Sequence, residues 1–359
     1  MRAGIAGLLL LAAMSPTVAP TAERSALPPP PPGMFAPPGR AITHVKGDVW
    51  RANNGGWYVG FLVTPEGIVL VDTLSVDFAT WLKTELARRF PGKPVRYVIY
   101  SHSPWDHAEG GAVFRDTAKV IAQENMLRNM DGRYPALPGD IVDRNADGYL
   151  DVPEFEQPFL DRLWYCGAFA SSVTSKDKDR DGRASPAEFF ADIVRPDIAY
   201  SERMTLRFGG KTLELVFPGR NHANDGTAVL FTDERVLFTT DFPQDALVQE
   251  TLRSLPSACG PFDGQPMDEW LKSYRTIESL DFDVLVGGHG AAFTKADVAE
   301  ARVFFETLKR EVEAAMSRGE SLERMKQTIT LEQYRGWKHF DTLRVPNIVA
   351  AYRNLQLYR

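Results

Sequence analysis

The sequence predicts an α/β protein of layered architecture, interrupted by an inserted helical segment with two acidic loops. Three observations predict it. Over residues 42–128 short apolar strands alternate with an amphipathic helix. The alternation lapses over residues 129–195 and strand patterns resume near Met204. Polar residues of the kinds that bind metals stand at the ends of several apolar runs, where α/β folds place their sites.

In chain order, Val45, Val49, Val59, Phe61 and Val63 fall in short strand-like segments broken at Asn53-Asn54-Gly55-Gly56. Gly67 to Asp72 is a buried strand ending in an acid. Ser75 is placed to cap a helix on which Phe78, Leu82 and Leu86 recur every four residues, and Pro91-Gly92 ends it. Val95 to Tyr100 and Ala118 to Gln123 are further strands. After the insertion, Met204 to Phe208 and Leu213 to Leu215 flank Gly209-Gly210 as a hairpin. Thr227 to Phe231 and Val236 to Thr240 follow, and Asp283 to Val286 is the last strand expected. Thr294 and Asp297 form a capping box before an apolar stripe of Val298, Ala301, Phe305, Leu308 and Val312. That stripe is read as core packing, within a helical tail over residues 301–359.

At 359 residues the chain can bury a large core. Its net charge of −6 gives no electrostatic footprint for nucleic acid. Residues 1–22 read as a signal peptide: Arg2, a short apolar run from Gly4 to Met14, then small residues. That run is too short for a membrane-spanning helix, so no membrane association beyond the signal is expected. Residues 23–41 form a proline-rich linker, with Pro28 to Pro32 and Pro37-Pro38 favouring extended polyproline II. The expected location is periplasmic or secreted. In that oxidising setting Cys166 and Cys259 either form a disulfide or remain buried thiols.

The stretch that organises these elements is Tyr100-Ser101-His102-Ser103-Pro104-Trp105-Asp106-His107. Two imidazoles and a carboxylate lie within six residues on a strand-to-helix turn, the donor types a divalent metal such as zinc takes. Of the six histidines in the chain, His102, His107, His222 and His289 lie beyond strand-like runs, as does Asp241. His44 and His339 do not, and are read as surface or packing residues.

The spacing His102-x-Pro104-x-Asp106-His107 resembles the metallo-β-lactamase superfamily signature His-x-His-x-Asp-His, with Pro104 in place of the second His. The resemblance covers residues 42–128 and 196–300 as two halves of one domain. It implies a four-layer αβ/βα sandwich with a metal site at one edge. It also implies that one metal position takes His102, position 104 and His222, that the other takes Asp106, His107 and His289, and that Asp241 bridges them. Proline offers no ligand atom, so the first position is depleted: one zinc, or two with the first held weakly, is the expectation. The implied chemistry is hydrolysis of a small ester-, lactone-, lactam- or thioester-like substrate by metal-activated water, with Asp106 or His102 handling the proton.

The two acidic loops match the twelve-residue EF-hand pattern of oxygen donors with glycine at position six. One comprises Asp143, Asn145, Asp147, Tyr149, Asp151 and Glu154; the other Asp177, Asp179, Asp181, Arg183, Ser185 and Glu188. Tyr149 and Arg183 contribute backbone carbonyls. The loops start 34 residues apart, a spacing that suits a packed pair taking two calcium ions. The competing reading is a non-catalytic protein on the same fold that binds calcium and an unspecified partner, with Pro104 marking lost catalysis.

Overall fold

A computed structural model of the chain describes residues 39–103, 105–133, 150–151, 176–243, 253–256 and 266–358. The first sheet has seven strands. β1 (Arg40–Lys46), β2 (Val49–Asn54), β3 (Trp57–Thr64) and β4 (Gly67–Val71) run antiparallel. β5 (Val95–Ile99) and β6 (Lys119–Gln123) continue the sheet in parallel. The parallel crossover between β4 and β5 is α1 (Val76–Arg89), capped by the Ser75 hydroxyl as its sequence predicts. The β5–β6 crossover contains α2 (Trp105–Ala108), and α3 (Glu124–Met130) follows β6.

Within the segment expected to be an insertion, β7 (Leu150–Asp151) pairs antiparallel with β8 (Arg183–Ala184), and α4 (Pro186–Phe189) follows. The chain then returns to the first sheet through β9 (Ile198–Tyr200), parallel to β6.

The second sheet has six strands in sequence order. They are β10 (Arg203–Phe208), β11 (Lys211–Val216), β12 (Ala228–Phe231), β13 (Val236–Thr239), β14 (Val284–Gly287) and β15 (Ala292–Thr294). β15 is one strand more than the periodicity predicts, because three residues are too few to show alternation, and pairing with β14 defines it. β10 and β11 turn at Gly209-Gly210, both in the left-handed region that glycine tolerates.

Side-chain alternation on the strands sorts the apolar residues into three cores. Between the sheets, Leu62, Val69, Val71 and Ile99 meet Leu215, Val229, Phe231 and Phe238. Outside the first sheet, Phe61, Leu70 and Val98 pack under Phe78, Leu82 and Leu86 of α1. Outside the second lie α5 (Met267–Glu278), α6 (Lys295–Ser317), α7 (Leu322–Thr328) and α8 (Phe340–Leu357). The result is four layers: helix, sheet, sheet, helix. The boundary expected at residue 300 lies inside α6, and Phe304, Phe305, Ile348 and Ala351 share one core with Leu230 and Leu285. The tail is therefore part of the outer layer, because its apolar faces need the second sheet to cover them. Among the described residues no helix is long and apolar enough to cross a membrane.

Gly60 of β3 marks a close approach of the two sheets: a Cβ there would lie 2.7 Å from the Phe238 ring, which is fully buried. Gly60→Ala would restrict the unfolded chain, favouring folding by about 0.4–1 kcal/mol. Overpacking a closed core costs about 1–3 kcal/mol and outweighs it. We expect lower stability in urea with an unchanged m-value; a variant as stable as the parent would show that the interface yields.

Candidate metal centre

Five strand ends converge at one edge of the sandwich. β4 delivers Asp72, and β5 delivers Ser101 and His102, with Asp106 and His107 on α2 one turn further. From the second sheet, β11 leads to His222, β13 to Asp241 and β14 to His289. The Thr227 N–H donates to the Ser101 carbonyl at 2.6 Å, tying the two sheets together there. All six residues expected as transition-metal ligands come together, in two groups: His102, His222 and Asp241, and Asp106, His107 and His289. Within each group the ligand atoms lie within 4.8 Å of one another. Pro104 lies outside the described residues.

Asp241 stands between the groups. Its Oδ2 is 3.1 Å from His102 Nε2, 3.5 Å from His222 Nε2 and 3.7 Å from His107 Nε2, while Oδ1 is 2.9 Å from His289 Nε2. Its backbone has φ +56, a conformation that costs a non-glycine residue energy and persists where its surroundings impose it. Burial disfavours its charge, but His289, His222 and His102 outweigh that and hold the carboxyl well below the usual range.

The hydrogen bonds determine which imidazole nitrogens carry protons. Asp72, fully buried, accepts from the Ser101 N–H and hydroxyl, both at 2.8 Å, and from the Thr240 hydroxyl at 3.1 Å. Having given its proton to Asp72, Ser101 Oγ accepts from His102 Nδ1 at 3.0 Å. His107 Nδ1 lies 3.5 Å from Asp72, and His289 Nδ1 3.3 Å from the Gly56 carbonyl. The Nδ1 contacts of His102 and His289 therefore turn a bare Nε2 inward, and His107 Nε2 points the same way. His107 Nε2 and His289 Nε2 are 3.2 Å apart, and His107 Nε2 is 3.4 Å from Asp106 Oδ2.

Lone pairs facing lone pairs and carboxylates repel unless a cation lies among them. Among the described residues, the ion-pair partners of Asp106 and Asp241 are all histidines. The donor set of imidazole nitrogens and carboxylate oxygens is the one that zinc takes, so the residues fit the metal. Burial opposes charge on His107, yet Asp106, Asp72 and Asp241 outweigh it and raise its pKa, as their attraction for a cation would. His222 differs. Burial pushes its pKa down to about 4, and among the described residues its Nδ1, like that of His107, is buried without a hydrogen-bond partner.

Several contributors escape sequence reading. Asp72 ends a strand like the ligands, which was the available signal. Ser101 and Thr240 each adjoin a ligand. Trp57 gives no signal: it lies 49 residues from Asp106 and donates its indole N–H to it at 3.1 Å. Nor do Asn125 and Asn129 of α3, which brace the His222 loop through Asn224 at 2.7 and 2.8 Å.

Of the acidic loops, the first lies outside the described residues except for Leu150 and Asp151, as do Cys166, Cys259 and the segment between the loops. In the second, carboxylate oxygens of Asp177, Asp179 and Glu188 lie within 4.8 Å of one another, and Gly182 has φ +94. Asp181 instead accepts from the Arg183 N–H, and the Ser185 hydroxyl donates to Glu188. The N–H and hydroxyl of Ser185 draw the Glu188 carboxyl down to about 2. The β7–β8 bridge pairs Leu150 with Ala184, the eighth position of each loop. Lys176, just before the second loop, is buried and paired with Glu109, two residues past His107.

A four-layer sandwich with imidazoles and carboxylates at the strand ends defines a metal-dependent hydrolase fold. The metallo-β-lactamase superfamily profile matches residues 56–289, and the chain belongs to that superfamily. It is 24% identical over 261 residues to the 2,4-dinitroanisole O-demethylase subunit alpha of Nocardioides sp., covering 72% of this chain and 60% of that protein. It is 23% identical over 237 residues to a linear primary-alkylsulfatase of Pseudomonas sp., covering 63% of this chain and 40% of the relative. The chain thus spans less than two thirds of each relative's length. Among solved structures, the stereoselective inverting sec-alkylsulfatase Pisa1 from Pseudomonas sp. superposes with a TM-score of 0.60 at 14% identity, covering 89% of this chain and 51% of that one.

Replacing Asp72 with Ala would strand the buried donors of Ser101 and Thr240. Each buried donor left unpaired costs about 1–3 kcal/mol, so the cluster together is worth about 3–5 kcal/mol. Urea unfolding of metal-free D72A is expected to show a loss of that size; a loss below about 1 kcal/mol, the net value of one ordinary hydrogen bond, would show that the contacts do not act together.

Proposed function

We propose that this chain is an exported metal-dependent hydrolase of small-molecule substrates, with one tightly held transition metal and a calcium-binding insertion. The observation that carries the catalytic reading is the inward convergence of bare imidazole nitrogens on Asp241 and Asp106. A bound zinc lowers the pKa of water to about 7 and polarises the bond to be cleaved. Asp106, 21% exposed, is the cluster carboxylate that water and substrate reach; Asp241 at 7% and Asp72 at 0% are enclosed. Asp106 would hold the attacking water and take its proton, while His102, held by Ser101, orients from within.

Support is uneven between the two positions. At the second, Trp57 holds Asp106, Asp72 faces His107, and the Gly56 carbonyl faces His289. At the first, sequence puts Pro104 where a ligand would stand, and among the described residues no carboxylate or carbonyl faces His222 Nδ1. Outer partners tune ligand strength, so the second position is the tight one. Metal analysis of untagged protein is expected to find about one zinc per chain, with Pro104→His raising the count. Two equally tight zincs in the unaltered protein would contradict the unequal site.

The relatives' names point to bonds at an alkyl or aryl oxygen, so sulfate esters and aryl methyl ethers join esters, lactones, lactams, thioesters and phosphodiesters as assay substrates. Asp106→Asn is expected to lower kcat on any substrate turned over by about 10²–10⁴-fold. Zinc absent and every substrate inert would favour the non-catalytic, partner-binding reading, for which Pro104 is the supporting residue.

The clustered carboxylates of the second loop, and its pairing with the first at equivalent positions, support calcium binding. Binding to the folded form alone, at a hundred times Kd, stabilises by about 2.7 kcal/mol. We expect calcium to raise the melting temperature, and Glu154→Gln with Glu188→Gln to abolish the rise. An unchanged melting temperature in millimolar calcium would end this part of the reading.

A further inference from the structure

The hairpin between β2 and β3 reaches the second metal position from outside the strand ends that form it. Its residues Gly56, Trp57 and Tyr58 touch both ligand-bearing turns. The Tyr58 N–H donates to the Gly288 carbonyl at 2.7 Å, and Trp57 forms an isolated antiparallel bridge with His289. The Gly56 carbonyl faces His289 Nδ1 at 3.3 Å, and the Trp57 ring meets the His289 ring edge-on, centroids 5.5 Å apart. The indole N–H donates to Asp106 Oδ2 at 3.1 Å.

We propose that Trp57 is a positioning residue for the metal centre: its indole N–H sets the rotation of the Asp106 carboxylate, and its ring braces His289. The proposal rests on the reading of this site as a transition-metal centre. Oδ2, the oxygen that Trp57 grips, is also the one 3.4 Å from His107 Nε2. Asp106 is the most exposed of the cluster carboxylates and has the most rotational freedom to lose. Indole N–H is a donor only, so the contact has one sense: it fixes the carboxylate and never supplies a competing ligand. Its partner comes from the hairpin and not from α2, which carries Asp106. Metal affinity is thereby linked to the seating of the hairpin tip, where Gly55 has φ +64 in the tight turn.

The test uses the full chain, stripped of metal and titrated with cobalt(II) against a competing chelator, with visible absorption reporting ligand geometry. Trp57→Phe keeps an aromatic ring and loses the N–H. Replacement of Trp57 by 3-benzothienylalanine keeps the two-ring shape and lacks only the N–H, which separates the hydrogen bond from any packing defect. Both are expected to bind cobalt about 10–100-fold more weakly, the usual cost of removing an outer partner of a ligand, with an altered visible spectrum. Metal-free melting should be unchanged for the benzothienyl protein. Parent-like affinity and spectrum in that protein would overturn the role of Trp57 while leaving the metal centre standing. A parent protein that binds no cobalt would overturn the metal reading itself, and Trp57's role with it.

Discussion

The carboxylate of Asp241 is buried among four imidazoles, two from each sheet. An isolated carboxylate in that position would be neutralised or expelled. It persists as an anion because positive or metal-seeking groups surround it, and they reach it only if the sheets are aligned at this edge. The inter-sheet core, the close approach at Gly60 and the Thr227–Ser101 hydrogen bond provide that alignment. Fold and site are thus the same problem: packing of the sheets brings together charges that would repel or be solvated apart.

Around this centre a less obvious shell decides what the ligands present. Ser101 and the Gly56 carbonyl occupy the outer nitrogens of His102 and His289, and the Asp72 carboxylate faces the outer nitrogen of His107 at 3.5 Å. Among the described residues His222 Nδ1 has neither a hydrogen bond nor a facing carboxylate, and burial lowers its pKa to about 4. An imidazole ligand without an outer hydrogen bond is a weaker base, and that asymmetry agrees with proline at position 104.

The segment carrying the second acidic loop is joined to the site at a defined point. Lys176 is buried against Glu109, and α2 together with the turn after it is held from the opposite side by the Thr73 and Leu74 N–H groups, which donate to the His107 carbonyl at 2.9 and 3.1 Å. A buried ion pair is expensive to break by removing one partner. The second acidic loop begins at the next residue, so the order of that loop and the seating of the His107 turn share a support.

The sequence alone determined the layer class, most strands, the Ser75 and Thr294 caps, and all six ligand-type residues. Each of these follows from local chemistry: periodicity of two or four, a hydroxyl before a helix, an imidazole at the end of an apolar run. It missed β9 and β15, because three residues carry no period, and set the tail apart, because a helix stripe does not say which sheet covers it. Only the tertiary structure decided that Asp72 serves two histidines, that Asn129 braces the His222 loop, and that Trp57 holds Asp106. Those contacts span 29 to 95 residues of chain, and hydrogen-bond partners at such separations leave no mark in local pattern. The sequence names the atoms able to hold a metal; the packing of two sheets decides which way those atoms point.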